Sequence, residues 1–297
     1  MTKHFKALCV FILAITIVTL AGPRTVQAAP AGGSINTQSY IEVPAAMDLQ
    51  SAIKAVADNG IIQISAGTYT APDNGYDVSN LGKRFTIQAA PGATVVITGG
   101  SDKGLLRFIN NNLGNGRSII FKGLTFRGGV SRVDGSGGAI SLGYAKATFI
   151  DCLFDGNTGL QPTAGGGALW INMQSTVFIF NSTFQNNTGR IKGGAIALED
   201  NSTAFIDRSR FLNNRNNLPG QYEWAAGGGI HVGNSHLRVT NSYFENNQAG
   251  YVGGAIYLIG TWTDPYTTPQ SDAVVINSTF VNNRSARDPG MGVSSPP

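Results

Sequence analysis

Two short motifs alternate along the second half of this chain and keep step with each other. Aligned on one Phe, five segments read FIDCLFDGN (149–157), FIFNSTFQNN (178–187), FIDRSRFLNN (205–214), RVTNSYFENN (238–247) and VVINSTFVNN (274–283). A weaker copy, IIFKGLTFRGG, occupies 119–129. The aligned residues are Phe126, Phe154, Phe184, Phe211, Phe244 and Phe280, separated by 28, 30, 27, 33 and 36 positions. From the second copy onward an Asn stands three residues later, at Asn157, Asn187, Asn214, Asn247 and Asn283. Between these segments lie GGAISL (137–142), GGALWI (166–171), GGAIAL (193–198), GGGIHV (227–232) and GGAIYL (253–258). Two motifs repeating in phase describe an array of one structural unit, and the unit has to be identified first.

The spacing inside the repeat identifies it. Helical repeats would place apolar residues three and four apart, whereas here they alternate with a period of two. Seven and five residues before each key Phe stand Ala147/Phe149, Val177/Ile179, Ala204/Ile206, Leu237/Val239 and Ala273/Val275, one inward column per strand. Three short strands joined by turns then make one coil, and coils stack in parallel so that like residues lie on like at ~4.8 Å. The Asn after each Phe is expected to adopt a left-handed turn conformation and to bond the Asn of the coils above and below. Gly-Gly before each aliphatic strand admits positive φ or a close backbone approach. The longer spacings fall at 218–226 and 260–272, where loops can bulge without disturbing the stack.

Composition agrees. The chain has 297 residues with 13% charged and 42% hydrophobic side chains, 39 Gly and 25 Asn. That is too apolar for a disordered chain and too rich in Gly and Asn for a helical one. The first 28 residues hold Lys3, Lys6 and Arg24 and no acid, leaving 18 basic and 17 acidic residues beyond them. No Lys/Arg cluster marks a nucleic-acid surface.

The beginning of the chain reads as a targeting signal. Lys3 and Lys6 precede an apolar run at 7–20, Gly22-Pro23 breaks any helix, and Val26-Gln27-Ala28 fits cleavage after Ala28. The run is shorter than the ~20 residues that span a bilayer, so no membrane span is expected after cleavage. Cys9 leaves with the signal, and Cys152 alone can form no intramolecular disulfide. Asp48 is placed to N-cap a helix with Leu49, Ile53 and Val56 on one face, stopped by Asn59-Gly60, before a strand at 61–69. The expected organisation is a signal peptide at 1–28, a linker at 29–42, a capping helix region at 43–60, a parallel β-helix of about eight coils at 61–284, and a disordered or truncated tail at 285–297.

The paired GGA(I/L) and FxxN motifs resemble the repeats of the chlamydial polymorphic outer-membrane proteins. More broadly, over about Val43 to Arg284, they resemble the right-handed parallel β-helix of the pectin-lyase-like superfamily. The helix at DLQSAI followed by a strand and AGTY is similar to the N-terminal cap of many such proteins. The resemblance implies an all-β, right-handed parallel β-helix with a short N-terminal capping helix. It leaves activity open, because the same helix hosts lyases, hydrolases, adhesins and stalks.

In polygalacturonases the strand aligned with GGAI carries the catalytic acids at its start. Here those positions are Gly137-Gly138, Gly166-Gly167, Gly193-Gly194, Gly227-Gly228 and Gly253-Gly254, without the carboxylates that such hydrolysis needs. Glu199-Asp200, with His231 one coil later and Arg190 and Lys192 beside the same turn, is the nearest catalytic candidate. Its plain reading is a solvated acidic pair. No metal site is expected, since His231 and His236 lack zinc spacing, and calcium enters only if the chain is a lyase. The column Ser141, Trp170, Ala197, His231 and Tyr257 faces outward, and Trp170, His231 and Tyr257 could stack on sugar rings. Trp224 and Trp262 in the two longer loops could wall the same groove, though packing of loops over strands is the plainer reading of these rings and the one favoured.

A second outward column is apolar, with Ile150, Phe178, Phe180, Phe205, Val274 and Ile276, and such a face usually marks a contact surface. The expectation is therefore a secreted or cell-surface, adhesin-like, non-catalytic protein that binds polysaccharide or a surface protein, with chain–chain contact near Phe178, Phe180 and Phe205. A polysaccharide lyase or glycoside hydrolase, and a structural stalk of a larger surface protein, are the alternatives.

Overall fold

The computed structural model describes residues 38–44, 47–99, 102–111, 118–132, 136–160, 165–216, 225–260 and 271–285. Among these residues the chain winds into a solenoid of four parallel sheets of nine, eight, seven and six strands. The expected signal peptide, the longer-loop residues 217–224 and 261–270, and the tail beyond Ser285 lie outside the described residues.

Register follows the repeat. Phe126, Phe154, Phe184, Phe211, Phe244 and Phe280 pair directly from strand to strand along the eight-stranded sheet. Their rings stack with centroids 4.4–5.1 Å apart and nearly parallel planes. The nine-stranded sheet contributes the alternating column, in which Ala147, Phe149, Val177, Ile179, Ala204, Ile206 and Val239 are buried. A one-residue slip would send every one of these to the outer face, so the pattern fixes the pairing.

Buried polar groups are satisfied along the axis. Asn157, Asn187, Asn214, Asn247 and Asn283 form a ladder in which each Nδ2 donates to the next Oδ1 at 2.8–3.0 Å. Each Nδ2 also donates to the carbonyl of the key Phe one coil back. The same Oδ1 atoms accept backbone N–H groups at 3.0–3.1 Å. A second ladder joins Cys152, Ser182, Ser209, Ser242 and Ser278, each backbone N–H donating to the hydroxyl of the next coil. Cys152 takes a serine's place in that series. Burial pushes its thiol up to about 12, so it packs as a small apolar group rather than a nucleophile.

The structure corrects several expectations. A turn contains four strands, not three: two-residue strands such as Thr188–Gly189 and Arg215–Asn216 build the six-stranded sheet. They are too short to show an alternation in sequence. The left-handed conformation falls one residue before the ladder Asn, at Gly156, Asn186, Asn213, Asn246 and Asn282, which leaves the ladder Asn free to point inward. The six-stranded sheet begins only at Val130–Ser131, so about six turns are complete rather than eight. The helix runs Leu49–Ala55 and stops before Asn59, because Val56 is already extended at ψ 140. Asp48 caps it as expected, accepting from Gln50 and Ser51, and Leu49, Ala52 and Ile53 join the core. The expected linker ends in a strand, Gln38–Val43, paired in parallel with Val56–Ile64. Among the described residues no helix is long and apolar enough to cross a membrane.

Burial of the inward columns falls at the last described turn. Phe244 is fully buried, whereas Phe280 is 44% and Val275 41% exposed. Truncating Phe184 to Ala should therefore cost about 3–5 kcal/mol, and Phe280→Ala less than half as much. Asn214→Ala should cost roughly 2–4 kcal/mol, because it strips partners from buried Asn187, Asn247 and the Phe184 carbonyl. Urea unfolding of the three variants measures this, and equal losses at Phe184 and Phe280 would contradict their difference in burial.

Candidate functional site

The seven-stranded sheet carries the Gly-Gly motifs, and its backbone explains them. A Cβ placed on Gly138, Gly167, Gly194 or Gly228 would sit inside the van der Waals shell of the equivalent glycine carbonyl one coil on. No side chain fits there, so the absence of acids at these positions is imposed by stacking. Any chemistry on this face has to come from the outward side chains and the turns at either end of each strand.

The outward column is in register as Arg107, Ser141, Trp170, Ala197, His231 and Tyr257. Trp170 is only 6% exposed and its indole N–H is buried without a partner, so its ring presents no open face. One coil on, the column shrinks to Ala197, and beyond it lies a cavity of about 560 Å³. His231 and Tyr257 form its floor, their ring centroids 5.6 Å apart. One wall is the turn before each Gly-Gly, with Ile191, Lys192, Ala226, Tyr251 and Val252, held by parallel bridges of Lys192 to Ala226 and Ala226 to Val252. The opposite wall follows the strands: Glu199, Asp200, Gly233, Asn234, Ile259 and Gly260.

Glu199, Asp200, His231 and Tyr257 thus meet in one cleft, while Trp170 is not part of its lining. Trp224 and Trp262 lie outside the described residues. Sequence reasoning missed Tyr251 and Asn234. Tyr251 holds the same offset from its Gly-Gly as Ile191 does, and Asn234 stands two residues after Val232 as Asp200 stands two after its partner Leu198, so alignment of the turns was the available signal.

The electrostatics are set by one ion pair. Lys192, before the strand Ile196–Leu198, pairs with Glu199 after it. The pair spans a strand whose outward residue is only Ala197. Nε2 of His231 is 3.7 Å from the same Glu199 oxygen. Burial first, and then the charge of Lys192, lower His231 from its ordinary 6.5 to about 3, against a smaller opposing pull from the Ala226 carbonyl. His231 is consequently neutral at neutral pH, and its Nδ1 is buried without a partner, as is Oδ1 of Asn234. Asp200 sits at the exposed rim in a left-handed conformation, φ 55. Among the described residues, no three His, Cys, Asp or Glu side chains converge to hold a metal ion.

The outer face of the nine-stranded sheet is a separate feature. Phe178 stacks on Phe205 at 5.1 Å and lies 6.5 Å from Phe180, with Lys146 over the Phe178 ring at 5.9 Å. These rings are half-buried, and Val274 and Ile276 further along are exposed.

Parallel strands, four sheets and in-register internal ladders define a parallel β-solenoid built of repeats. The chain belongs to the right-handed β-helix family, whose description is "right handed beta helix region" and which it matches over residues 76–286. That match gives the solenoid its hand. No curated protein matches the chain.

His231 gives a pH signature. Its proton affinity is lower folded than unfolded, so the stability it contributes is complete above about pH 6.5 and is lost as pH falls toward 3. The slope in that window reaches at most about 1.4 kcal/mol per pH unit. Denaturant unfolding of His231→Gln should show a shallower acid slope than the parent, and an unchanged slope would mean that His231 is protonated in the fold.

Proposed function

We propose that this is an exported extracellular or cell-surface β-helix protein that binds a glycan in the cleft above His231 and Tyr257, without chemical turnover. The observation that carries the reading is the cleft itself. Its volume of about 560 Å³ lies in the range that accommodates small ligands. Tyr257 offers an aromatic face, with His231 almost wholly buried beside it, and the walls place polar groups beside apolar Ile191, Val252 and Ile259. Sugar rings present the matching mixture of apolar faces and hydroxyl edges. Export is read from the basic, apolar and small-residue segments at 1–28.

Binding is favoured over lyase or hydrolase chemistry by the state of the polar groups. General acid–base catalysis works best with a group titrating near the working pH, and His231 is held at about 3. The Glu199 carboxylate is already engaged by Lys192.

The test is a panel of immobilised and soluble polysaccharides, with retention measured beside reducing ends and the ultraviolet absorbance of unsaturated products, with and without calcium. We expect retention on one glycan class without product, weakened about tenfold or more in Tyr257→Ala, which corresponds to about 1.4 kcal/mol. Product formation that disappears in Glu199→Gln would make the protein an enzyme instead.

A further inference from the structure

We infer that the saccharide unit held in this cleft carries no acidic group and is bound through hydroxyl or amino hydrogens. The inference rests on the glycan-binding reading and specifies its ligand.

The charge of the lining is the first argument. Among the described lining residues Lys192 is the cation and Glu199 and Asp200 are the anions, while His231 is neutral, so that lining carries one net negative charge. Lys192 is not free to receive a ligand carboxylate, because Glu199 holds it. The neighbouring cation Arg190 donates to the Leu160 carbonyl at 3.2 Å and does not line the cavity. A uronate entering here would meet a negative field. To gain Lys192 it would have to strip that partner from Glu199, whose side chain is 12% exposed. A buried carboxylate left unpaired is strongly unfavourable.

The unpartnered polar atoms are the second argument. Oδ1 of Asn234, buried in the wall, accepts no hydrogen bond, and a carbonyl oxygen can only accept. Nδ1 of His231 is also unpartnered, and in the neutral imidazole it accepts or donates according to the tautomer. Asp200, at the rim, adds an acceptor carboxylate. The exposed Asp200 carboxylate can only accept, so a ligand that donates hydrogens matches this rim. Sugar hydroxyls do so, and a protonated amino group does so with an added attraction to Asp200. A ring carboxylate supplies only further acceptors at that position.

The experiment is calorimetric titration of the full chain with three oligomers of equal length: a neutral glucose oligomer, a glucosamine oligomer and an oligogalacturonate. We expect the neutral or the glucosamine oligomer to bind at least tenfold more tightly than the oligogalacturonate, with binding lost in Tyr257→Ala. Asp200→Asn separates the two donor sources, since it should weaken the glucosamine oligomer severalfold and leave the neutral one little changed. Glu199→Gln frees Lys192 and should raise oligogalacturonate affinity relative to the other two. Circular dichroism and thermal unfolding check that each variant keeps the fold. Oligogalacturonate binding that is the tightest of the three, Tyr257-dependent and lost in Lys192→Met would overturn this inference while leaving the cleft as the glycan site. Failure of every oligomer to bind, together with no retention on the wider panel, would overturn both.

Discussion

Everything in this molecule depends on like residues lying on like along the solenoid axis. Parallel pairing repeats the backbone at about 4.8 Å, so a buried amide can be satisfied by the same amide one coil away. The ladder uses that geometry fully: each Nδ2 from Asn157 to Asn247 has two acceptors, and each internal Oδ1 has two donors. The serine ladder headed by Cys152 applies the same principle at a second corner. Apolar stacking of Phe126 to Phe280 gives burial, but the polar ladders give discrimination, because a slipped register would strand buried donors and acceptors.

The stack also limits where function can reside. Inward positions are committed to the ladders, and the second glycine of each Gly-Gly is committed to close backbone approach. What remains variable is the outward column and the turns bounding each strand. At Ala197 the column becomes small after Trp170, and Lys192 and Glu199 meet across that strand. The cleft thus arises from a local break in side-chain size on a backbone that continues unchanged.

The same low-polarity surroundings that shape the cleft set its chemistry. Burial beside an ammonium group keeps His231 neutral, and the ion pair occupies the carboxylate most enclosed by the site. Such a floor suits stacking and hydrogen bonding better than proton transfer. The apolar outer face around Phe178 and Phe205 belongs to another sheet and imposes no constraint on the cleft.

The period of the sequence determined the parallel stack, the inward columns, the Asn ladder and the outward series from Ser141 to Tyr257, because identical residues at a fixed interval satisfy one another only in register. Tertiary structure alone decided the rest. The fourth sheet consists of two-residue strands with no alternation to read, and the left-handed residue is the one before the ladder Asn because the ladder side chain must turn inward. Whether a ring on the outward column is open or covered depends on packing from other segments, so Trp170 and Tyr257 look alike in sequence and differ in exposure. Lys192 and Glu199 are separated by seven residues, and their pairing depends on how two turns approach each other across Ala197. A repeat encodes the relation of each coil to the next; the relation between two turns of the same coil is fixed only when the chain has closed around its core.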